Sequence, residues 1–274
     1  MTGAAERTIQ VDGARHRWLE RGDGPAVVLL HGIPTSPELW RHVMPLLDGA
    51  RLLAWEMLGY GLSHGAGIGR DISVKAQAGY LQRFLREVGV DRAVLVGHDL
   101  GGGVAEIAAV QEPSAWSGLV LTNAIAYDSW PIPSVKVMRS LGPAVARTPP
   151  ALFRRIHAAF IASGHDDPAR ARESAAVHWR GYDHRDGAAM FVRQIRSLRT
   201  ADTLEVAPRL RDLRLPAAVV WGAAARLQKL AYGERLAADL NAELKTVEDG
   251  RHFMPEDHAE EVAGAIRRTL ERVA

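Results

Sequence analysis

Four apolar residues, Ala93-Val94-Leu95-Val96, run directly into Gly97-His98-Asp99-Leu100-Gly101-Gly102-Gly103, and a helical pattern then continues to about Gln111. A wholly apolar run of this length reads as a strand buried on both faces, which belongs inside a parallel sheet covered by helices. A strand that turns into a helix without a loop crowds its neighbours, and Gly97 and Gly101 supply the residues that such a tight turn tolerates. The turn leaves Asp99 at the carboxyl end of the strand, before a helix N-terminus whose unpaired N–H groups favour negative charge. Two roles fit an aspartate there: a helix cap, or a reactive group at the sheet edge.

The rest of the chain repeats this plan. Ala26 to Leu30 ends at His31-Gly32, and Arg51 to Trp55 stops before Gly59-Tyr60-Gly61. Leu119 to Thr122 and Ala217 to Trp221 are further short apolar runs, and Leu244 to Val247 reads as one more strand. Residues 74–88 and 259–273 place apolar side chains at helical spacing. The alternation predicts an α/β fold with a mostly parallel central sheet flanked by helices. At 274 residues the chain has room for an insertion. From Tyr127 to Thr203 the strands vanish, prolines fall at 131, 133, 143, 149 and 150, and short Arg- and Ala-rich helices follow. This stretch reads as a helical lid over the carboxyl edge of the sheet, where open α/β sheets bind ligands. The predicted division is a core of residues 1–126 and 204–274 with a cap of residues 127–203.

Composition narrows the chemistry. With 34 Lys and Arg against 32 Asp and Glu, there is no electrostatic reason to expect nucleic acid or an anionic membrane surface as a partner. There is no cysteine, which removes disulfides, thiolate nucleophiles and Cys-bound metals. The first residues lack an apolar stretch of the secretory type, and no run approaches the ~20 residues of a membrane helix, so a cytoplasmic location is expected. His178 and His184, like His252 and His258, are too far apart for a ligand pair at i, i+4, and no metal site is predicted. Gly101-Gly102-Gly103 does not open a dinucleotide fingerprint, so no cofactor is expected. Nothing in the sequence addresses oligomeric state.

Two further segments sit at strand ends. His31-Gly32-Ile33-Pro34 follows the first strong strand, and Gly250-Arg251-His252-Phe253 follows the last. With the Asp99 turn between them, three elements arrive in the order of an oxyanion loop, a nucleophile elbow and a general base. On these motifs the chain resembles the α/β-hydrolase superfamily over essentially its whole length, with a cap inserted after that fold's sixth strand. Aspartate at the elbow and His-Gly-x-Pro in the oxyanion loop resemble the epoxide hydrolase and haloalkane dehalogenase branch. Glu56-Met57-Leu58-Gly59-Tyr60-Gly61-Leu62-Ser63 matches that branch's usual turn, with Glu where Asp is commoner.

A carboxylate nucleophile suits displacement at saturated carbon, where it forms an alkyl ester. The resemblance then implies that His252 activates the water that hydrolyses the Asp99 ester, with Ile33 and Leu100 N–H groups as the oxyanion hole. By the same resemblance, dehalogenases often hold halide with Trp after the nucleophile and Asn in the oxyanion loop. Leu100 and Ile33 stand there instead, which favours an epoxide as substrate. An epoxide needs an acid from the cap, and Tyr182, Tyr127 and His178 are the candidates. His31, Pro34, His98, Trp130, Trp179 and Phe253 are expected to line a pocket for a small apolar or aromatic substrate.

One part is missing. Where the family commonly reads Trp-Gly-x-x-Asp, with the Asp supporting the histidine, this chain reads Trp221-Gly222-Ala223-Ala224-Ala225. Asn123 holds the alternative position and can orient an imidazole without stabilising its charge. Three explanations are open. Asp128, Glu56 or another carboxylate reaches His252; the chain has moved to a reaction without ester hydrolysis, such as ring formation, isomerisation or ligand sensing; or Ala225 is a deliberate replacement that stalls turnover. The sequence therefore supports an impaired epoxide hydrolase first, a haloalkane dehalogenase second, and a non-hydrolytic enzyme or receptor third.

Overall fold

The computed structural model describes residues 3–273. Eight strands form one sheet: β1 (Ala5–Val11), β2 (Ala14–Arg21), β3 (Ala26–Leu30), β4 (Arg51–Trp55), β5 (Ala93–His98), β6 (Trp116–Thr122), β7 (Ala217–Gly222) and β8 (Glu243–Val247). Their spatial order is β1-β2-β4-β3-β5-β6-β7-β8. Only β1–β2 and β2–β4 pair antiparallel; the others are parallel. The helices are α1 (Val74–Glu87), α2 (Leu100–Gln111), α3 (Pro133–Ser140), α4 (Gly142–Val145), α5 (Pro150–Ser163), α6 (Pro168–Trp179), α7 (Gly187–Arg196), α8 (Ala201–Val206), α9 (Leu230–Asp239), α10 (Met254–Asp257) and α11 (Ala259–Glu271).

The apolar runs are explained by burial on both faces. Val28, Leu30, Leu95 and Leu121 join one core with Leu81 and Phe84 of α1 and Val104 of α2. Their neighbours Val27, Leu29, Val96 and Val120 point the other way, against Val262 and Ile266 of α11. Side chains alternate along a strand, so a strand covered on both sides must be apolar at every position.

The two N-terminal strands were not legible as apolar runs. β1 is almost wholly exposed, and β2 carries His16 and Arg17 between apolar residues. Their one local signal is Asp12-Gly13, both at positive φ (49° and 69°), a hairpin turn whose twist matches that of the strands. Between β6 and β7 the described residues form no strand; the helices α3 to α8 and their connecting turns lie there, in the stretch where strands vanish from the sequence pattern.

Candidate active site

Asp99 stands between β5 and α2 with φ 50° and ψ −121° and makes no capping bond to the helix behind it. A non-glycine residue at positive φ is strained, and the packing around it holds the turn. A Cβ on Gly101 would lie 2.3 Å from the Leu30 carbonyl oxygen, so only glycine lets β3 approach this closely. The Asp99 main-chain oxygen accepts the Gly102 and Ile125 N–H groups at 3.0 Å each.

The carboxylate is turned toward the loop after β3. Asp99 Oδ2 accepts the Ile33 N–H at 2.9 Å, and the Leu100 N–H also supports the charge. The two donors expected from the sequence therefore both face Asp99. Burial pushes its carboxyl up to about 6, against the pull of those two N–H groups. The other oxygen, Oδ1, lies 3.9 Å from His252 Nε2. His252 is 2% exposed, and its Nδ1 has no hydrogen-bond partner. Burial is the main reason its imidazole is held well below the ordinary range, with His98 and His165 adding to the effect.

None of the proposed partners supplies Nδ1 with an acceptor. Asn123, at φ 38°, gives Oδ1 to the Gly222 N–H at 3.0 Å, and its Nδ2 is buried without a partner. Asp128 accepts from the Tyr232 hydroxyl at 3.2 Å on the surface. Glu56 is fully buried between Arg17 Nη1 (3.0 Å), Ser63 Oγ (2.7 Å) and the Leu62 N–H (3.1 Å). Each acceptor is engaged by another partner. Ala225 sits in the loop after β7, where the Ala224 N–H bonds the Gly250 carbonyl at 3.0 Å, two residues before His252.

A cavity of about 40 Å³ opens on Asp99 and His252, lined by Ile33, Leu100, Ile125, Trp130, Ile132, Val135, Phe160, Leu198 and Gln228 among others. Of the six residues expected to line it, Trp130 does, and its Nε1 donates to Thr203 Oγ1 at 2.7 Å. The other five pack elsewhere. His31 bridges the Gly32 carbonyl and the Met57 N–H beneath the site. His98 lies behind His252, with ring centroids 4.7 Å apart and Nδ1 donating to the Thr122 carbonyl. Phe253 packs against His98, His165 and His252; Trp179 packs against Phe153 and His157; and Pro34 does not reach the cavity.

The three acid candidates are also committed away from the cavity. Tyr182 donates its hydroxyl to Gln194 Oε1 at 2.7 Å, and Gln194 Nε2 donates to the Gly59 carbonyl. Tyr127 donates to Asp239 at 2.8 Å, with Arg235 over its ring. His178 lies between Ser36 Oγ and Glu256 Oε1.

Gln228 is what the sequence reading missed. It is 3% exposed, lines the cavity, and its Oε1 is enclosed with no partner. Its main-chain oxygen accepts Trp221 Nε1 at 3.1 Å, fixing this residue three places after Ala225. A lone glutamine in a loop carries no pattern that would have found it. Among the described residues, no cluster of three His, Asp or Glu is placed to hold a metal ion, and no helix is long and apolar enough to cross a membrane.

A family model described as alpha/beta hydrolase fold matches residues 25–259. The chain is 40% identical over 92 residues to bifunctional epoxide hydrolase 2 of Sus scrofa, a match covering 33% of this chain and 17% of that protein. Several such partial matches span between 17% and 33% of the curated relatives' lengths. A longer match, 27% identical over 276 residues, covers 93% of this chain and 92% of haloalkane dehalogenase 2 of Mycobacterium bovis. The fold is similar to that of an alpha/beta hydrolase fold protein from Burkholderia ambifaria, with a TM-score of 0.87, 26% identity, and 95% and 96% of the two chains covered.

Proposed function

The chain belongs to the α/β-hydrolase fold family, and from that premise we propose that it is a hydrolase acting at saturated carbon through an ester on Asp99. The observation that carries this reading is the state of the carboxylate. It does not cap α2; it is bonded by the Ile33 N–H, faces an apolar cavity, and has His252 Nε2 at 3.9 Å.

An Asp99 oxygen attacks the substrate carbon, the bond to the leaving group breaks, and that group departs with the electron pair. Water then attacks the Asp99 ester carbonyl while His252 Nε2 takes a proton. The oxyanion is stabilised by the Ile33 and Leu100 N–H groups, and the ester collapses, releasing an alcohol that takes the proton from His252, while the carboxylic acid left on Asp99 loses the second water proton to solvent and is restored as a carboxylate. Residues 127–203 serve as the lid that excludes bulk water.

The cavity bears on the leaving group. Tyr182, Tyr127 and His178 all lie outside its lining. Gln228 is the remaining polar side chain beside Asp99 and His252; its amide can donate a hydrogen bond but not give up a proton. A group that departs as a stable anion, a halide, therefore suits the geometry better than an alkoxide, and the near full-length match to a dehalogenase supports the same reading. Epoxide opening is the second reading, favoured by the 40% match to the porcine enzyme.

The test is incubation with 1-bromobutane and, separately, 1,2-epoxybutane, followed by mass spectrometry of the Asp99 peptide. The expected result is an alkyl adduct from the bromide that clears slowly, because His252 lacks an acid at Nδ1. An adduct from the epoxide alone would select the second reading. No adduct from either, with Asp99→Asn as control, would reject the ester mechanism and favour a non-hydrolytic role.

A further inference from the structure

The segment that carries His252 is held by the inserted helices. The loop between α5 and α6 presents the Gly164 carbonyl, which accepts the His252 N–H at 2.8 Å and the Phe253 N–H at 3.2 Å. Asp166 accepts the Arg251 N–H at 3.2 Å, and the His165 carbonyl accepts Arg251 Nη1 at 3.0 Å. In return the Asp166 N–H bonds Asp257 Oδ2 at 3.1 Å. Three consecutive backbone amides around the candidate base are thus fixed by residues 164–166.

At the centre of this contact is the fully buried side chain of His165. Its Nδ1 lies 2.7 Å from Asp257 Oδ1 and its Nε2 lies 3.2 Å from Glu256 Oε2. Both carboxylates belong to α10, directly after His252 and Phe253. The His165 ring stacks on Phe253 at 4.6 Å and 23°, and Phe253 meets His252 edge-on at 4.9 Å. Glu256 Oε2 also accepts from Ser174 Oγ at 2.6 Å, and its other oxygen, Oε1, is held by His178 and Arg41.

We propose that His165 is a positioning residue for His252, holding the base in place through the loop where, among the described residues, no side chain orients its Nδ1. This inference rests on the assignment of His252 as the base. The imidazole and the two carboxylates lock α10 against the lid, and the stacked Phe253 transmits that position to the His252 ring. His165 acts through position rather than charge. Its positive charge is one of the causes that lower the His252 imidazole, the opposite of what an acid at Nδ1 would do.

The groups facing His165 set its pH range. Asp257 and Glu256 raise it against burial to about 9. Arg41 lies beyond Glu256, Arg251 is on the His165 carbonyl, Asp166 is paired with His258 at 2.7 Å, and burial lowers both His98 and His252. The clamp is therefore complete below the ordinary histidine range and is lost as pH rises through about 9. His252 is neutral throughout that interval and gives the ester-hydrolysis step no high-pH limb of its own.

The test uses two readouts, one independent of any substrate. Hydrogen exchange of the peptide containing His252 and Phe253, corrected for intrinsic rate, is measured at pH 7 and pH 10 in the wild type, His165→Gln and His165→Arg. The expected result is a loss of protection of about tenfold or more in His165→Gln at pH 7 and in the wild type at pH 10, with β3 and β5 unchanged. His165→Arg, which keeps the charge, retains protection at pH 10. Decay of the alkyl-Asp99 ester should slow by about 10- to 100-fold in His165→Gln while ester formation is unchanged. Unchanged protection in His165→Gln, or equal loss across the strands, would overturn the proposal even if no ester ever forms. Failure of ester formation in the wild type, with the exchange result intact, would instead reject the ester reading of Asp99.

Discussion

Gly32→Ala is the sharpest perturbation of the site, because its effect can be worked from one contact. Gly32 is not at positive φ, so an alanine there costs nothing through backbone conformation. Its Cβ would stand 2.4 Å from Asp99 Oδ2, 2.5 Å from Asp99 Cβ and 2.8 Å from Cγ. Ordinary carbon contacts begin near ~3.5 Å, so the two chains must separate by about 1 Å. That shift breaks the 2.9 Å bond from the Ile33 N–H to Oδ2. The bond is one of two that lower the Asp99 carboxyl against burial, so its loss raises the group further above 6. Misplacing a reacting group by 1 Å costs about 10²-fold in rate, and overpacking costs roughly 1–3 kcal/mol of stability. Single-turnover alkylation of Asp99 by 1-bromobutane, followed by mass spectrometry alongside a thermal melt, measures both effects. Gly65→Ala is the control: a Cβ there meets nothing within 4 Å, and the rate should be unchanged. Alkylation by Gly32→Ala within threefold of the wild type, in a folded protein, would refute the claim that this contact positions the carboxylate.

Three further outcomes are expected. Alkylation needs the Asp99 carboxylate; the group is raised to about 6, so the rate should climb through pH 6 and level off above pH 7, as a stopped-time adduct assay would show. Ala225→Asp should speed decay of the alkyl ester by about 10³-fold or more, since a carboxylate near ~4 Å from an imidazolium stabilises it by about 4 kcal/mol in a partly screened site; unchanged decay would mean that the loop after β7 does not reach His252. Tyr182→Phe should leave adduct formation within about twofold and lower stability by roughly 1–3 kcal/mol, because Gln194 Oε1 is left buried and unpaired; a large loss of rate from an epoxide but not from a bromide would restore the tyrosine as an acid.

What the sequence determined is what strand ends determine. The apolar runs could lie only inside a covered sheet, and a turn with no loop could put only Asp99 at its apex. The segments that begin at His31 and Gly250 follow two other strands on the same carboxyl edge. The Ile33 N–H and the His252 ring therefore converge on Asp99 because parallel topology brings those ends together. That Ala225 stands where the resembled family commonly carries an acid was equally local, read from five residues in a row. Tertiary structure decided which side chains face the cavity. Tyr127, Tyr182 and His178 were plausible acids by composition and position, but each hydroxyl or ring is buried and must find a partner. Asp239 and Glu256 claim Tyr127 and His178 from distant parts of the chain, and Gln194 claims Tyr182 from the next helix. Gln228 faces the cavity with its backbone held by Trp221, and His165 meets two carboxylates of α10, the helix that follows His252. Strand periodicity is written residue by residue, whereas the satisfaction of a buried polar group depends on whatever the fold packs against it.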